Sequence, residues 1–147
     1  MSKVILITGA SSGMGKTTAE LLLKEGHIVY GAARRIDKMG DLKQLGLKIL
    51  QMDVTEDDTM VSGVKEIIKN EGRIDVLINN AGFGSYGAIE DVTIKDARYQ
   101  LEVNVFGAAR LMQLVLPYMR KNQFGKIVNI SSIGGKLAKP FGVWYNE

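Results

Sequence analysis

Short apolar runs alternate along the chain with longer stretches of helical periodicity, which predicts alternating strands and helices. Each apolar run is bounded by glycine or polar residues, as the buried strands of parallel sheets are. Because the two patterns alternate throughout, we expect an α/β fold in which helices cover both faces of a parallel sheet. The predicted strands are Lys3–Thr8, His27–Ala33, Leu47–Asp53, Val76–Ile78 and Lys126–Ile130.

The predicted helices occupy most of the sequence between these strands. One helix covers Gly15–Glu25, and the segment Thr55–Asp58 resembles a capping box at the start of a second helix. Two more helical segments run over about Thr93–Lys121, and Trp144-Tyr145 has the pattern of a further helix start. The stretch Asp37–Gln44 has the composition of a polar connection.

The composition is that of an ordinary globular domain. Of 147 residues, 46% are hydrophobic and 24% are charged, which suffices for one domain with its own core, placed at residues 1–147. The net charge of +3 is spread without a basic run, so we expect no nucleic-acid partner. The absence of Cys and the single His27 exclude thiolate and His-rich metal sites.

Two features bear on the compartment. No stretch reaches the roughly 20 apolar residues of a membrane span. The first predicted strand follows the N-terminus at once, which leaves no room for a signal peptide. We therefore expect a cytoplasmic protein without a membrane span.

The loop after the first predicted strand contains two overlapping phosphate-binding patterns. Thr8–Gly15 reads T-G-x-x-x-G-x-G, a glycine-rich turn that cradles a dinucleotide pyrophosphate, whereas Ala10–Thr17 nearly matches the Walker A loop of NTPases. Either pattern places a phosphate at a helix N-terminus, where N–H groups favour anions. An NTPase also needs an acidic residue after another strand, and Asp53 is the only fair candidate. The loop alone therefore leaves both a dinucleotide-binding protein and an NTPase open, and the signal for an NTPase is the weaker one.

Motifs farther along the chain decide between the two. Asn79-Asn80-Ala81-Gly82 follows the fourth predicted strand, and Asn104 lies within a helical segment. Ser132 follows the fifth strand and precedes Tyr145 by thirteen positions. In this order and spacing the chain resembles the short-chain dehydrogenase/reductase family, in its T-G-x-x-x-G-x-G branch and its hydroxysteroid-dehydrogenase-like members. The resemblance covers all 147 residues and implies a Rossmann-type doubly wound sheet with one NAD(P)-binding domain.

The resemblance assigns cofactor contacts to the ends of several strands. Glycines give a tight turn and a backbone without Cβ atoms near the pyrophosphate, and the adjacent serines can donate to the adenosine ribose or its phosphate. The Asp after the third strand either accepts from the adenine amino group or only closes a turn. The Asn of N-A-G lines the floor beneath the cofactor, stabilises its own turn, or both. The predicted cofactor-binding residues are Gly9, Ser11, Ser12, Gly13, Met14, Gly15, Arg34, Arg35, Asp53, Val54, Asn80, Ala81, Gly82 and Tyr145.

The end of the second predicted strand indicates which cofactor is used. It carries Arg34 and Arg35, with no carboxylate before Asp37. Sites that prefer NAD put an acidic residue here, which accepts from the ribose 2′-OH. A 2′-phosphate instead needs planar donors that are always charged, and guanidinium groups provide them. The sequence therefore predicts NADP(H).

The reaction implied by the resemblance is carbonyl reduction, which needs a hydride at carbon and a proton at oxygen. The resemblance makes Tyr145 the proton donor, Ser132 the hydrogen-bond donor to the substrate oxygen, and Asn104 the holder of a water in the proton path. The apolar segments Gly82–Gly87 and Leu137–Trp144 would face the substrate, so we expect a hydrophobic secondary alcohol or its ketone. A homo-oligomer is also implied for the full-length protein.

The family pattern continues past the last residue of this chain. It includes a Lys four residues after the Tyr, at position 149, and further strands in the second half of the fold, so we expect a fragment whose C-terminal strands are missing. That Lys supplies the positive charge that a phenol needs to act near neutral pH. Residues 1–147 alone are therefore expected to be inactive. If the gene ends at Glu147, the alternative is a nucleotide-binding or interaction module without catalysis.

Overall fold

The sheet is the centre of the molecule in the computed structural model, which describes residues 1–146. Its strands are β1 (Val4–Thr8), β2 (Ile28–Ala33), β3 (Lys48–Gln51), β4 (Val76–Asn79) and β5 (Lys126–Asn129). They lie in the order β3-β2-β1-β4-β5, and every neighbouring pair is parallel. This is the strand order of a Rossmann-type sheet, so the predicted fold class is confirmed.

Helices connect successive strands. They are α1 (Gly13–Lys24), α2 (Gly40–Gln44), α3 (Asp57–Glu71), α4 (Ile94–Leu101) and α5 (Ala108–Lys121). Two 3₁₀ turns occur at Ile36–Met39 and Ile133–Gly135, and a π-helical segment at Glu102–Gly107 joins α4 to α5. Within residues 1–146, no helix has both the length and the apolar character needed to span a bilayer.

Alternation along the central strand β1 produces one core on each face of the sheet. Val4 and Leu6 pack into a buried cluster to which α3 and α5 contribute. Ile5 and Ile7 point to the opposite face and pack into a second cluster with residues of α1 and α2. Because both faces are buried, every residue of β1 is apolar except the last, as the continuous apolar run predicts.

The structure corrects the sequence predictions at three places. The predicted capping box is wrong, because the N-cap of α3 is Glu56, without a side-chain capping bond, and the Thr55 hydroxyl donates to Asp53 instead. The predicted polar connection 37–44 contains α2, whose Leu42 is buried in the core. Helix α1 begins two residues earlier than predicted.

The last described residues form a turn at the place where the sequence predicts the start of a further helix. Residues 143–145 are in a turn, and the Asn146 N–H donates to the Gly142 carbonyl oxygen at 2.9 Å. A bond between residues four apart closes one turn of α-helix. Tyr145 therefore lies in a hydrogen-bonded turn.

Candidate cofactor and active site

The loops at the carboxyl ends of the strands surround a cavity of about 620 Å³. This is a usual size for a small-molecule site, and open α/β sheets bind their ligands at this edge. Of the residues predicted to bind the cofactor, only Gly15 and Tyr145 lie outside its wall. The predicted residues on the wall are Gly9, Ser11, Ser12, Gly13, Met14, Arg34, Arg35, Asp53, Val54, Asn80, Ala81 and Gly82.

The loop between β1 and α1 depends on glycine for two different reasons. Gly9 and Gly13 have φ angles of +66° and +55°, in the left-handed region that favours glycine. Gly15 lacks space, because a Cβ there would overlap both Asn80 Nδ2 and the Gly9 carbonyl oxygen. The glycine pattern thus allows α1 to start directly against the end of β1.

The N-terminus of α1 offers backbone donors at the cavity. Its N-cap, Ser12, makes no side-chain capping bond, and the first turn of the helix contains no acidic residue. The N–H groups of such a helix end, together with the helix dipole, favour a bound anion. These residues fit the pyrophosphate of a dinucleotide.

The two residues that complete a Walker A pattern are engaged elsewhere. Lys16 Nζ forms an ion pair with Asp41 of α2 at 2.7 Å, and its hydrogen bond holds the pKa of that carboxyl below the usual range. Thr17 Oγ1 donates to the Gly13 carbonyl oxygen at 3.3 Å. Neither side chain lines the cavity. The geometry therefore disfavours the NTPase alternative.

Asn80 braces the glycine loop from the neighbouring strand. Its Nδ2 donates to the carbonyl oxygens of Thr8 and Gly9, at 3.1 and 3.3 Å. The backbone N–H groups of Asn80 and Ala81 both donate to Thr8 Oγ1, each at 3.0 Å. The buried Thr8 hydroxyl thereby ties the end of β4 to the end of β1. Asn80 stabilises the turn while also lying on the cavity wall.

The end of β2 makes one part of the cavity wall cationic. Arg34 and Arg35 both lie on this wall, and Arg34 Nη1 donates to the Tyr99 hydroxyl at 2.9 Å. The Tyr99 ring lies 5.6 Å from the Phe83 ring, centroid to centroid. A guanidinium group has five N–H donors, so this single bond leaves others for an anion. Cationic and aromatic groups side by side suit a phosphorylated adenosine.

Asp53 closes the turn after β3. Its Oδ1 accepts from the backbone N–H and the hydroxyl of Thr55, at 2.9 and 2.7 Å. Of the two roles considered for Asp53, the turn role is therefore present in the structure. The adenine contact stays a prediction, and the position of Asp53 on the cavity wall is compatible with it.

Asn104 lies in the π-helical segment and holds the loop that follows β4. Its Oδ1 accepts from the Phe83 N–H at 3.0 Å, and its Nδ2 donates to the Phe83 carbonyl oxygen at 2.7 Å. Such π-helical turns inside helices occur frequently at functional sites. Both backbone groups of a residue on the cavity wall are thus fixed by one amide.

Tyr145 and Ser132 both contact Gly134 in the 3₁₀ turn after β5. A Cβ added to either Gly84 or Gly134 would lie 2.9 Å from the Tyr145 ring, so the ring packs closely against both residues. Ser132 Oγ accepts from the Gly134 N–H at 3.1 Å, and its hydroxyl hydrogen can still be donated to a substrate. The structure therefore brings these two predicted catalytic residues to the same turn. Asn104 binds Phe83, the residue before Gly84.

The two segments predicted to face the substrate contact each other. The Gly87 N–H donates to the Phe141 carbonyl oxygen at 2.8 Å, and the Tyr86 and Tyr145 ring centroids are 5.7 Å apart. Phe141 has a φ of +62°, an uncommon conformation for a bulky side chain, and the residue is 63% exposed. Tyr86, Leu137 and Phe141 are all exposed and form an apolar, aromatic rim.

Helix α4 and the π-helical segment contribute residues that the sequence analysis missed. Tyr99 and Val103 line the cavity, and Gln100 is fully buried between two loops. The spacing carried a signal for Gln100, which lies four residues before Asn104 and hence on the same helical face. The other residues on the wall that were not predicted are Thr8, Ala32, Ala33 and Met52, while Phe83 belongs to the segment predicted to face the substrate.

The chain is similar to known dehydrogenases and reductases in sequence and in structure. A family profile described as short chain dehydrogenase matches residues 3–146. The chain is 46% identical over 145 residues to the 3-ketodihydrosphingosine reductase of Bacteroides thetaiotaomicron, and the match covers 98% of this chain and 52% of that protein. The chain spans about half the length of the curated relatives it matches.

Solved structures have the same fold, and each match covers nearly all of this chain but only part of the solved one. A short-chain dehydrogenase from Streptomyces avermitilis has a TM-score of 0.95 and 39% identity, over 99% of this chain and 55% of that one. ElxO with NADP bound has a TM-score of 0.91 and 33% identity, over 99% and 62%. NAD⁺-bound xylitol dehydrogenase has a TM-score of 0.90 and 28% identity, over 98% and 58%. The chain is thus similar to structures that carry either cofactor.

Proposed function

The chain belongs to the short-chain dehydrogenase family, and we propose that the protein is an NADP(H)-dependent oxidoreductase that interconverts a hydrophobic secondary alcohol and its ketone. The observation that carries this proposal is one cavity whose wall contains the glycine loop, the open end of α1 and two guanidinium groups. The loop and helix end would bind the pyrophosphate, while Arg34 and Arg35 would bind the 2′-phosphate. An acidic residue, which NAD sites use at this place, is replaced here by these two cations.

The proposed chemistry uses the residues at the turn after β5. When bound, NADPH supplies the hydride to the carbonyl carbon. The Tyr145 phenol donates the proton to the carbonyl oxygen, and Ser132 donates a hydrogen bond to that oxygen as negative charge develops on it. Asn104 fixes Phe83, whose neighbour Gly84 packs against the Tyr145 ring. The phenol is therefore supported from the loop after β4.

The proposed substrate is a ketone with a large hydrocarbon group. Its reacting carbon would lie beside the Tyr145 hydroxyl, so the hydrocarbon would extend over the exposed rim formed by Tyr86, Leu137 and Phe141. Covering such a rim with apolar substrate is favourable, since buried apolar surface contributes about 25 cal/mol per Å². The likeness to a 3-ketodihydrosphingosine reductase supports a long-chain ketone.

The cofactor part of the proposal is tested by titrating the full protein with NADPH and NADH. NADPH should bind at least about tenfold more tightly, because a charge-assisted hydrogen bond contributes on the order of 1.5–3 kcal/mol. Arg34→Ala should remove most of the difference. Arg98→Ala is the matched control, since Arg98 is exposed on α4 and does not line the cavity. Equal affinities of the unmutated protein for the two cofactors would refute the preference.

The reaction is tested by following NADPH oxidation with 3-ketodihydrosphingosine and a series of shorter, more polar ketones. The rate at low substrate concentration should rise with the length of the hydrocarbon. Cofactor binding without turnover of any ketone would favour the non-catalytic nucleotide-binding module. Saturable micromolar binding of Mg-ATP would instead favour an NTPase.

A further inference from the structure

Gln100 connects two loops through a side chain with no exposed surface. Its Oε1 accepts from both the N–H and the hydroxyl of Ser85, at 2.7 and 2.9 Å. Its Nε2 donates to the Trp144 carbonyl oxygen at 2.7 Å. A buried amide is costly unless its groups are hydrogen-bonded, and here all three bonds run to segments outside α4.

The two connected segments are those that hold the Tyr145 phenol. Ser85 follows Gly84, against which the Tyr145 ring packs, and Trp144 immediately precedes Tyr145 in the chain. One side chain therefore fixes both the surface that the ring contacts and the backbone that carries the ring. Because Gln100 lies deep in the protein, water cannot easily replace the Trp144 bond.

We propose that Gln100 is a positioning residue that sets the place of the Tyr145 phenol relative to the substrate carbonyl, an inference that rests on the proposed function. Proton transfer requires the phenol within hydrogen-bond reach of the carbonyl oxygen. A displacement of about 1 Å of a reacting group can lower a rate by about a hundredfold. Loss of the bond to Trp144 should therefore slow catalysis while leaving the cofactor cavity intact, since Gln100 does not line it.

Gln100→Glu separates the two halves of the amide. The carboxylate has the same shape and still accepts from both Ser85 donors, but it cannot donate to the Trp144 carbonyl oxygen. Gln100→Leu removes all three bonds. Gln113→Leu is the matched control, because Gln113 is exposed on α5 and the only side-chain hydrogen bond it makes in the described residues is accepted from Arg110.

The test measures kcat, KM for a ketone and the Kd for NADPH in the full protein. Gln100→Glu should lower kcat by about tenfold or more relative to the wild type at the pH values where its carboxyl is ionised, while the NADPH Kd stays within twofold. Lowering the pH should partly restore kcat of Gln100→Glu, since a protonated carboxyl again donates a hydrogen bond, and should not restore Gln100→Leu. A residue with only a structural role would not produce this pH-dependent rescue.

A second measurement does not depend on turnover. Trp144 is the only Trp in this chain, and subtracting the emission of Trp144→Phe isolates its fluorescence in the full protein. Acrylamide should quench Trp144 at least twofold more strongly in Gln100→Glu than in the wild type or the Gln113→Leu control. This increase reports that the turn carrying Tyr145 has loosened.

Two results would overturn the proposal. In the first, Gln100→Glu keeps kcat within twofold of the wild type at every pH measured and shows unchanged quenching. In the second, kcat and NADPH affinity fall in proportion, as they would if the substitution only weakened the fold. If the wild type reduces no ketone, the proposed function fails, and the quenching measurement still decides whether Gln100 holds this turn.

Discussion

Replacing Gly15 by Ala should separate the glycine loop from the strand beside it. The new Cβ would overlap Asn80 Nδ2 and the Gly9 carbonyl oxygen, and it would lie 3.0 Å from the Gly9 carbonyl carbon. Two of these three atoms belong to the backbone of the loop. A change of side-chain rotamer therefore cannot relieve the overlap, and the start of α1 has to move away from β1.

The expected loss of stability follows from the bonds that this movement breaks. Asn80 Nδ2 would lose its bonds to the Thr8 and Gly9 carbonyl oxygens, at about 1 kcal/mol each. Overpacking adds about 1–3 kcal/mol, while the higher helix propensity of Ala offsets about 1 kcal/mol. The net decrease in the free energy of unfolding is about 2–4 kcal/mol. With a urea m value of about 2 kcal/mol/M, the midpoint falls by about 1–2 M.

The measurement is a urea titration followed by circular dichroism, together with an NADPH titration, for Gly15→Ala and a matched glycine. Gly40→Ala is the control, because Gly40 has a φ of −61° and a Cβ there would meet no atom within 4 Å. Its stability should stay the same or rise by about 0.5–1 kcal/mol. If Gly15→Ala keeps the wild-type urea midpoint and NADPH affinity, α1 does not approach the end of β1 this closely.

Two further substitutions test other parts of the structure. Ser132→Ala should lower kcat by about a hundredfold, which is the scale of losing one donor to a developing oxyanion. Ser131→Ala is the control and should leave kcat unchanged, because Ser131 is an exposed neighbour. Equal rates for the two variants would contradict the role of Ser132. The hydrogen bond from Lys48, followed by that from Tyr30, lowers the pKa of the Glu71 carboxyl. The ionised carboxylate therefore stabilises the folded state at pH values above the ordinary pKa of Glu, and this stabilisation is lost as the pH falls through the lowered pKa. Glu71→Gln should therefore be less stable than the wild type by about 1 kcal/mol at pH 7, and urea titrations should show the two converging below about pH 4; a constant difference down to pH 3 would refute this.

The parts of the site that follow from strand topology could be predicted from the sequence. Buried apolar runs mark the strands, and the carboxyl ends of parallel strands meet at one edge. Gly9, Arg34, Asp53 and Asn80 each follow or end a different strand, and the structure places all four on one cavity wall. Helix α2 could not be predicted in this way, because it is short and its composition is polar apart from the buried Leu42.

Side-chain pairings between distant positions could not be predicted in the same way. The Thr55 pattern matches a capping box, but the Asp53 carboxylate is the acceptor that its hydroxyl finds in the folded chain. Gln100 lies 44 residues from its partner Trp144, and its spacing from Asn104 does not indicate which distant group it binds. The Arg34 bond to Tyr99 spans 65 residues and joins the residue after β2 to α4. These contacts are set by tertiary packing rather than by periodicity.

The role of Tyr145 as proton donor is tested most directly by single-turnover reduction of a hydrophobic ketone at saturating NADPH, in the full protein and in its Tyr145→Phe variant. Phe keeps the ring that packs against Gly84 and Gly134, so the NADPH Kd should stay within about twofold. Without the phenol the rate should fall by about a hundredfold or more, the scale of one general acid. A rate close to that of the wild type would contradict the assignment of the active site.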